Sequence, residues 1–292
     1  MASLVTTRIL TLRDLKVLHL EPTDVCQAAC PLCARETDVN FRKDQQHHLS
    51  INQILKVIDE DKIRQLDKMF MCGNYGDPAA GKYTLDIFNN FRSINPGITL
   101  GMNTNGAIQS TFWWHILAKI MTQSRDYVVF SIDGLENTNA TYRKNVNWDK
   151  LMSNIRAFID AGGPAHWDML VYKHNQHQVN ECEQLARAMG FKWFRAKVSK
   201  RPFTETLQFP TGWQPIKTQS TTIICHALVE KSAFIDAKGN LGPCCWLGTR
   251  QQNFITDIDA IPTQDPTCSI VCGQTSIGTA FDQQWQKEIE LT

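Results

Sequence analysis

Six short apolar runs alternate with longer helix-like stretches over about the first 200 residues, and this alternation constrains the fold most. The runs are 16–21, 68–72, 98–103, 127–132, 166–172 and 191–198. They recur at roughly 30-residue intervals, the length of a strand with its crossover helix. The pattern predicts an α/β fold with a parallel sheet, either an incomplete barrel or a doubly wound sheet. In both architectures the chemistry lies at the carboxyl ends of the strands.

The pattern changes after residue 198. SAFID, a turn at residues 238–240 and LGPCC predict a β-hairpin, and TSIGTAFDQQWQKEIE (275–290) predicts a closing helix. We therefore expect four segments. They are an N-terminal extension (1–13), a barrel-like domain (14–200), a linker (201–223) and a small C-terminal domain (224–292).

The composition argues against several kinds of partner. The formal net charge of +1 gives no electrostatic reason to expect a long nucleic acid or a membrane surface. The first apolar run is short and broken by Arg8 and Arg13, unlike a signal peptide. No stretch approaches the roughly 20 apolar residues of a membrane span. We expect a cytoplasmic protein.

Ten cysteines are present, and they are unevenly distributed. Three lie within eight residues (Cys26, Cys30 and Cys33), and five more lie between 225 and 272. Thiols in a reducing cytosol rarely form structural disulfides. Two tight groups in such a chain therefore indicate metal or cluster ligands.

The first group has the spacing C-x3-C-x2-C and follows the first predicted strand. Three thiolates from one loop can hold three corners of a cubane iron–sulfur cluster. The fourth iron then keeps an open position, as catalytic metal sites do. The alternative is a zinc knuckle completed by a distant residue such as His47 or His48.

Four motifs in order resemble the radical S-adenosylmethionine (SAM) superfamily. LHLEPTDVCQAACPLCAR is similar to its signature loop, GNYGDP (73–78) to its glycine-rich turn, and NTNG (103–106) and SIDG (131–134) to the next strand ends. The resemblance implies a partial (β/α)6 barrel, a 4Fe–4S cluster on Cys26, Cys30 and Cys33, and SAM on the open iron. The residues it implies for SAM binding are Leu32, Gly73, Asn74, Gly76, Asp77, Pro78, Asn105, Ser131, Asp133 and Arg143.

Two positions depart from the family pattern. Leu32 precedes the third cysteine where relatives commonly have an aromatic residue that packs near adenine. The glycine-rich turn has Asp77 in place of glutamate and an inserted-looking Tyr75. We expect the turn to keep its backbone contacts despite these two departures, and we expect Tyr75 to shape a substrate pocket.

The second cysteine group resembles the twitch and SPASM extensions of the same superfamily. Cys225 is followed by thirteen residues and Gly239, then by four more and Cys244. The resemblance implies one auxiliary 4Fe–4S cluster in a small hairpin and helix domain, held by Cys225, Cys244, Cys268 and Cys272. Cys245 competes as a ligand, and a four-cysteine zinc ribbon is the alternative.

The implied function is reductive cleavage of SAM to a 5′-deoxyadenosyl radical that abstracts hydrogen from a substrate. An oxidoreductase or transferase acting on a peptide, small alcohol or sugar fits this pattern, with flavodoxin or ferredoxin as reductant. Nucleotide or sugar modification is one alternative; a non-catalytic iron–sulfur or zinc protein is another. Four residues near the strand ends are candidates for substrate or proton chemistry: His19, Glu21, Cys72 and Tyr75.

Overall fold

The computed structural model describes residues 12–199, 204–212, 225–247, 266–271 and 287–291. Within these ranges nine strands form one sheet. The strands are β1 (Val17–Leu20), β2 (Lys68–Met71), β3 (Thr99–Thr104), β4 (Tyr127–Ser131), β5 (Ala165–Val171), β6 (Trp193–Val198), β7 (Ser232–Ile235), β8 (Leu241–Gly242) and β9 (Lys287–Glu290).

The strand order is β8-β7-β1-β2-β3-β4-β5-β6-β9. Strands β1 to β6 are parallel and adjacent in chain order, which confirms the six predicted strands. A doubly wound sheet reverses its strand order at a switch point, and strands β1 to β6 run in one direction across the sheet with no such reversal. The winding is therefore that of a partial barrel.

Ten α-helices lie in the described residues, most of them between strands. They are α1 (Ala34–Thr37), α2 (Ile51–Leu55), α3 (Glu60–Gln65), α4 (Thr84–Ile94), α5 (Thr111–Ile120), α6 (Glu136–Tyr142), α7 (Trp148–Asp160), α8 (Val179–Met189), α9 (His226–Glu230) and α10 (Pro266–Val271). Ser50 begins α2 with a complete capping box to Gln53, as its sequence position predicts. No helix in the described ranges could span a membrane.

The two faces of the sheet differ in chemistry. One face buries apolar side chains completely, among them Leu18, Met69 and Phe130. The opposite face carries polar side chains such as His19 and Asp168, because successive residues of a strand point to opposite sides. The apolar face packs against the helices, and the polar face lines the inside of the partial barrel.

The predicted β-hairpin is present, with β7 and β8 antiparallel. The Asp236 carboxylate accepts hydrogen bonds from the backbone N–H of Lys238 and Asn240. Gly239 has a φ of +88°, which favours glycine at this turn. Strand β7 also pairs in parallel with β1, so the hairpin extends the main sheet.

The predicted closing helix over 275–290 is wrong for its last four residues. Residues 287–290 form β9, which pairs antiparallel with β6 and places Ile289 opposite Phe194. Pairing with an open sheet edge supplies hydrogen bonds that local helix propensity does not anticipate. The rest of the predicted helix lies outside the described residues.

Candidate active site

The first cysteine group lies on the loop between β1 and α1. Cys33 is the N-cap residue of α1, and its backbone N–H donates to the Cys30 carbonyl over 2.9 Å. Cys30 is buried, while Cys26 and Cys33 are half-buried. Burial raises the pKa of the Cys26 thiol to about 12, so a bound cation is needed to hold it as a thiolate near neutral pH.

The glycine-rich turn after β2 packs directly on this loop. A Cβ atom on Gly76 would lie 1.9 Å from the Thr23 carbonyl oxygen, and one on Gly73 would lie 2.0 Å from the Gly76 carbonyl oxygen. Both contacts are too close for any side chain, so glycine is required at these positions. The Cys33 thiol also lies 3.7 Å from the Asn74 carbonyl oxygen. The turn and the cysteine loop thus form one packed unit.

The buried Asp77 carboxylate joins the turn to the end of β3. One oxygen accepts from the Thr104 hydroxyl at 2.7 Å, and the other accepts from the backbone and side-chain N–H of Asn105, each at 2.7 Å. Gln27 continues the network by donating to the Asn105 side-chain oxygen over 2.7 Å. Asn105 in turn lies 3.7 Å from the Cys26 sulfur. Asp77 therefore supports the cysteine loop through its hydrogen bonds to Asn105, which in turn binds Gln27 of that loop.

An ion pair lies beside the second cysteine of the loop. The Arg143 Nε donates to the Asp133 carboxylate over 2.6 Å, and the other Asp133 oxygen accepts from the Leu170 backbone N–H over 2.6 Å. Burial raises the pKa of Cys30, and the nearby Arg143 guanidinium opposes that shift. Asp133 thus forms an ion pair with Arg143, and Arg143 lies next to the Cys30 thiol.

The other residues implied for SAM binding lie around the same strand ends. Ser131 is half-buried at the end of β4, opposite Asp168 of β5. Leu32 is buried in the core, and Pro78 opens the short 3₁₀ helix Pro78–Ala80.

His19 and Glu21 lie on the polar face of the sheet at β1. The His19 ring stacks on Phe70 with centroids 4.3 Å apart, and its Nε2 lies 2.7 Å from the Cys72 carbonyl oxygen. Burial lowers the pKa of His19 to about 4, so the ring is neutral near pH 7. Glu21 accepts from the backbone N–H of Tyr75 at 2.7 Å, and burial raises its pKa to about 7.

A cavity of about 260 Å³ lies beside the glycine-rich turn, between residues 38–47 and the hairpin. Tyr75 forms part of its wall, with its ring stacked on Phe41 at a centroid distance of 4.5 Å. The Tyr75 hydroxyl donates to Asp38 over 2.7 Å. Tyr75 therefore lines a cavity, and its role in a substrate pocket stays a prediction.

The described cysteines of the second group lie on or beside three separate elements. Cys225 is the N-cap residue of α9, Cys244 follows β8, and Cys268 lies in α10. Cys272 lies outside the described residues. The Asn74 side chain donates to the Cys245 carbonyl oxygen over 2.7 Å and ties the hairpin to the glycine-rich turn.

Cys72 follows β2 and is half-buried. Burial is the main cause that raises the pKa of Cys245 to about 12, and the nearby Cys72 thiol adds to it. The set of ligands for an auxiliary cluster remains a prediction.

The histidines proposed for a zinc knuckle have other partners. The His47 Nδ1 donates to Asp24 over 2.6 Å, and the His48 Nδ1 lies 3.0 Å from the Thr23 hydroxyl. Within the described ranges, no three His, Cys, Asp or Glu side chains converge on a single-ion site. A cubane binds each thiolate through a different iron, so its ligands stand farther apart. The geometry gives no support to the zinc alternative.

Comparison with known proteins identifies the family. The family model described as the Radical SAM superfamily matches residues 20–186, more than half of the chain. The chain therefore belongs to the radical SAM superfamily. No curated protein matches it.

Several solved structures share the fold at low sequence identity. Streptococcus suis SuiB bound to S-adenosylmethionine superposes with a TM-score of 0.57 and 14% identity, covering 87% of this chain and 64% of that one. Native anSMEcpe with bound AdoMet and Cp18Cys peptide superposes with a TM-score of 0.57 and 13% identity, covering 92% of this chain and 82% of that one. SuiB bound to precursor peptide SuiA superposes with a TM-score of 0.56 and 14% identity, covering 82% of this chain and 61% of that one. This chain spans about three fifths of the length of SuiB.

Family membership implies an enzyme that uses SAM and a 4Fe–4S cluster, and the residues present fit both groups. Three thiols on one short loop are a suitable donor set for three irons. The turn beside them has two positions where a Cβ atom would collide with the chain's own backbone, so glycine there lets the turn pack directly on the cysteine loop. The Arg143 guanidinium supplies positive charge next to Cys30.

Proposed function

We propose that this chain cleaves SAM reductively at a 4Fe–4S cluster held by Cys26, Cys30 and Cys33. The observation that carries the proposal is the packing of the glycine-rich turn against the three-cysteine loop, with Gly76 in contact with the Thr23 carbonyl. A non-catalytic electron carrier has no need of such a turn. When bound, the cluster and SAM supply a 5′-deoxyadenosyl radical that abstracts hydrogen from substrate.

The protein contributes position and charge. Residues 73–78 offer backbone groups for the methionine amino group, and Arg143 offers a cation for the methionine carboxylate. Asp133 fixes Arg143 through a 2.6 Å hydrogen bond, so the cation needs no reorganisation when SAM binds. The hydrogen bonds between Asp77 and Asn105 fix the position of the turn relative to the cysteine loop.

The second cysteine group supports a proposal of one auxiliary 4Fe–4S cluster on Cys225, Cys244, Cys268 and Cys272, with Cys245 as the competing ligand. The hydrogen bond from Asn74 to the Cys245 carbonyl brings this region to the wall of the SAM pocket. Such a cluster would accept the electron that the substrate radical loses when it is oxidised, or would organise the site. A flavodoxin or ferredoxin supplies the first electron.

A peptide is the proposed substrate. SuiB and anSMEcpe have the same fold, and their structures contain a precursor peptide and a Cp18Cys peptide. The cavity beside Tyr75 opens next to the glycine-rich turn, where a peptide side chain can approach. Oxidation or modification of that peptide follows from hydrogen abstraction.

Iron content and SAM cleavage test the proposal together. Anaerobic reconstitution should give about eight irons per chain, and replacing Cys26, Cys30 and Cys33 with Ala should lower this to about four. Reduced protein should release 5′-deoxyadenosine from SAM, and Cys30→Ala should abolish the release. Cys182→Ala is the matched control, because Cys182 is a buried thiol of α8 outside both groups. Zinc without sulfide, or deoxyadenosine release at the parent rate by the triple variant, would contradict the proposal.

A further inference from the structure

The cavity beside the glycine-rich turn is suited to a single side chain. Its volume of about 260 Å³ lies just below the roughly 300–1,000 Å³ of sites for drug-sized ligands. Its walls come from residues 38–47, from Asn74 and Tyr75, and from the hairpin. The turn proposed to hold SAM is therefore one wall of this cavity.

Negative charge predominates in the lining. Among the described residues that line it, the carboxylates are Glu21, Asp24, Asp38 and Asp236, and the permanent cations are Arg42 and Lys238. Arg42 forms two hydrogen bonds, of 3.0 and 2.8 Å, to Asp44, a residue outside the lining. Lys238 lies on the exposed hairpin turn. The charge that faces an occupant is therefore acidic.

Glu21 is the most deeply buried of these carboxylates, with 3% of its surface exposed. Its hydrogen bonds come from the backbone N–H of Tyr75 at 2.7 Å and of Gly76 at 3.3 Å, which are neutral donors. In the described part of the chain, no cationic side chain forms an ion pair with it. A buried carboxylate without a cation is costly, and a cationic ligand in the cavity would offset that cost.

Aromatic rings complete the recognition surface. Tyr75 and Phe41 stack at 4.5 Å, and Trp246 lies at the rim with 56% of its surface exposed. Arg35 already lies 5.2 Å from the centre of the Phe41 ring, so the aromatic surface that an occupant of the cavity can contact is that of Tyr75 and Trp246. Aromatic faces and carboxylates together bind the alkyl stem and charged head of a cationic side chain.

We propose that this cavity binds a lysine or arginine side chain of the peptide substrate, with Glu21 as the specificity-determining carboxylate. The inference rests on the proposed function, since it assigns a subsite for the peptide that the enzyme modifies. A side chain held here anchors the peptide beside the glycine-rich turn. The neighbouring part of the peptide then lies near the site of hydrogen abstraction.

Calorimetric titration of the reconstituted full chain at pH 8, where Glu21 is ionised, tests the subsite. The probes are N-acetyl-lysine amide, N-acetyl-arginine amide and the neutral Nα,Nε-diacetyl-lysine amide. We expect at least one cationic probe to bind about tenfold more tightly than the neutral one, and the tighter of the two identifies the preferred residue. Equal affinity for charged and neutral probes, or no binding of any probe, overturns the inference.

Glu21→Gln removes the charge with little change of shape. We expect it to weaken the cationic probe about tenfold and to leave the neutral probe unchanged. Asp38→Asn is a second lining variant with the same expected direction, in case the first does not fold. Glu60→Gln, exposed on α3, is the matched control and should bind like the parent. Parent-like affinity in both lining variants overturns the inference.

Release of 5′-deoxyadenosine from SAM, measured on the same samples, separates this inference from the proposed function. If cleavage persists and no cationic preference is found, the subsite is wrong and the proposed function stands. If cleavage is absent, the proposed function fails whatever the probes show, and the subsite, which depends on it, fails too.

Discussion

His19 lies on β1 and Glu21 directly follows this strand, and burial shifts their pKa values in opposite directions. Desolvation disfavours whichever form is charged. It therefore raises the pKa of the Glu21 carboxyl to about 7 and lowers the pKa of the His19 imidazole to about 4. Near neutral pH the inner face of β1 thus has a neutral histidine and a carboxyl group that is about half protonated.

This shift predicts a pH-dependent stability. The ordinary pKa of a glutamate side chain is 4.5 and the pKa of Glu21 in the folded chain is about 7, so the folded state binds more protons than the unfolded state between these pH values. Its contribution to the free energy of unfolding is complete below pH 4.5 and is lost as the pH rises through 7. Glu21→Gln should remove that loss, so the variant gains stability relative to the parent between pH 5 and pH 8, by on the order of 3 kcal/mol at most.

Urea denaturation at several pH values under anaerobic conditions measures this difference. Glu60→Gln serves as control, because Glu60 is exposed on α3 and lies outside the cavity. A parent-to-variant difference that is constant across the range would show that Glu21 titrates normally in the folded chain.

At the scale of elements, the glycine-rich turn depends on close backbone contact. Alanine at Gly76 would place a Cβ atom 1.9 Å from the Thr23 carbonyl oxygen, so the turn must move away from the cysteine loop. We expect Gly76→Ala to weaken SAM binding by tenfold or more and to lower stability by about 1–3 kcal/mol. Equilibrium binding of SAM and thermal unfolding check these outcomes.

Gly97→Ala is the control for that substitution. The nearest atom to a Cβ at Gly97 is the Asn95 side-chain oxygen at 3.9 Å, an ordinary contact. It should leave SAM binding unchanged. If Gly76→Ala also binds SAM like the parent, the packing of the turn is not what forms the SAM pocket.

At the scale of the whole molecule, the two cysteine groups are proposed to have different roles. The first lies on the loop after β1, beside the glycine-rich turn. Of the second, Cys225 begins α9 and Cys244 follows β8, the second strand of the hairpin. Replacing Cys268 and Cys272 with Ala should leave SAM cleavage measurable while product formation from the true substrate fails. A cluster on these cysteines would contribute to the folding of the hairpin region, so the comparison requires a soluble, monodisperse variant.

Electron paramagnetic resonance with and without SAM checks the first cluster in that variant. We expect the SAM-induced spectral change to persist. Its loss while the first cluster is retained would show that the second group shares the SAM site. The hydrogen bond between Asn74 and the Cys245 carbonyl is the contact through which such coupling would pass.

The amino-acid sequence by itself determined the six parallel strands, the hairpin and the loops at the strand ends. Local signals carried these predictions, since apolar periodicity, cap residues and turn residues act over a few positions. It also placed Gly73 and Gly76 in a turn after the second strand. The prediction of a closing helix is wrong over residues 287–290, where pairing with β6 outweighs local helix propensity.

Only the tertiary structure decided which side chains support the site. Gln27 reaches Asn105 across 78 positions, and Asp24 reaches His47 across 23, and no local pattern marks such pairs. Strand order likewise distinguished a partial barrel from a doubly wound sheet. The reason is physical, because long-range contacts form when separate elements pack together, and their partners depend on that packing more than on neighbouring residues.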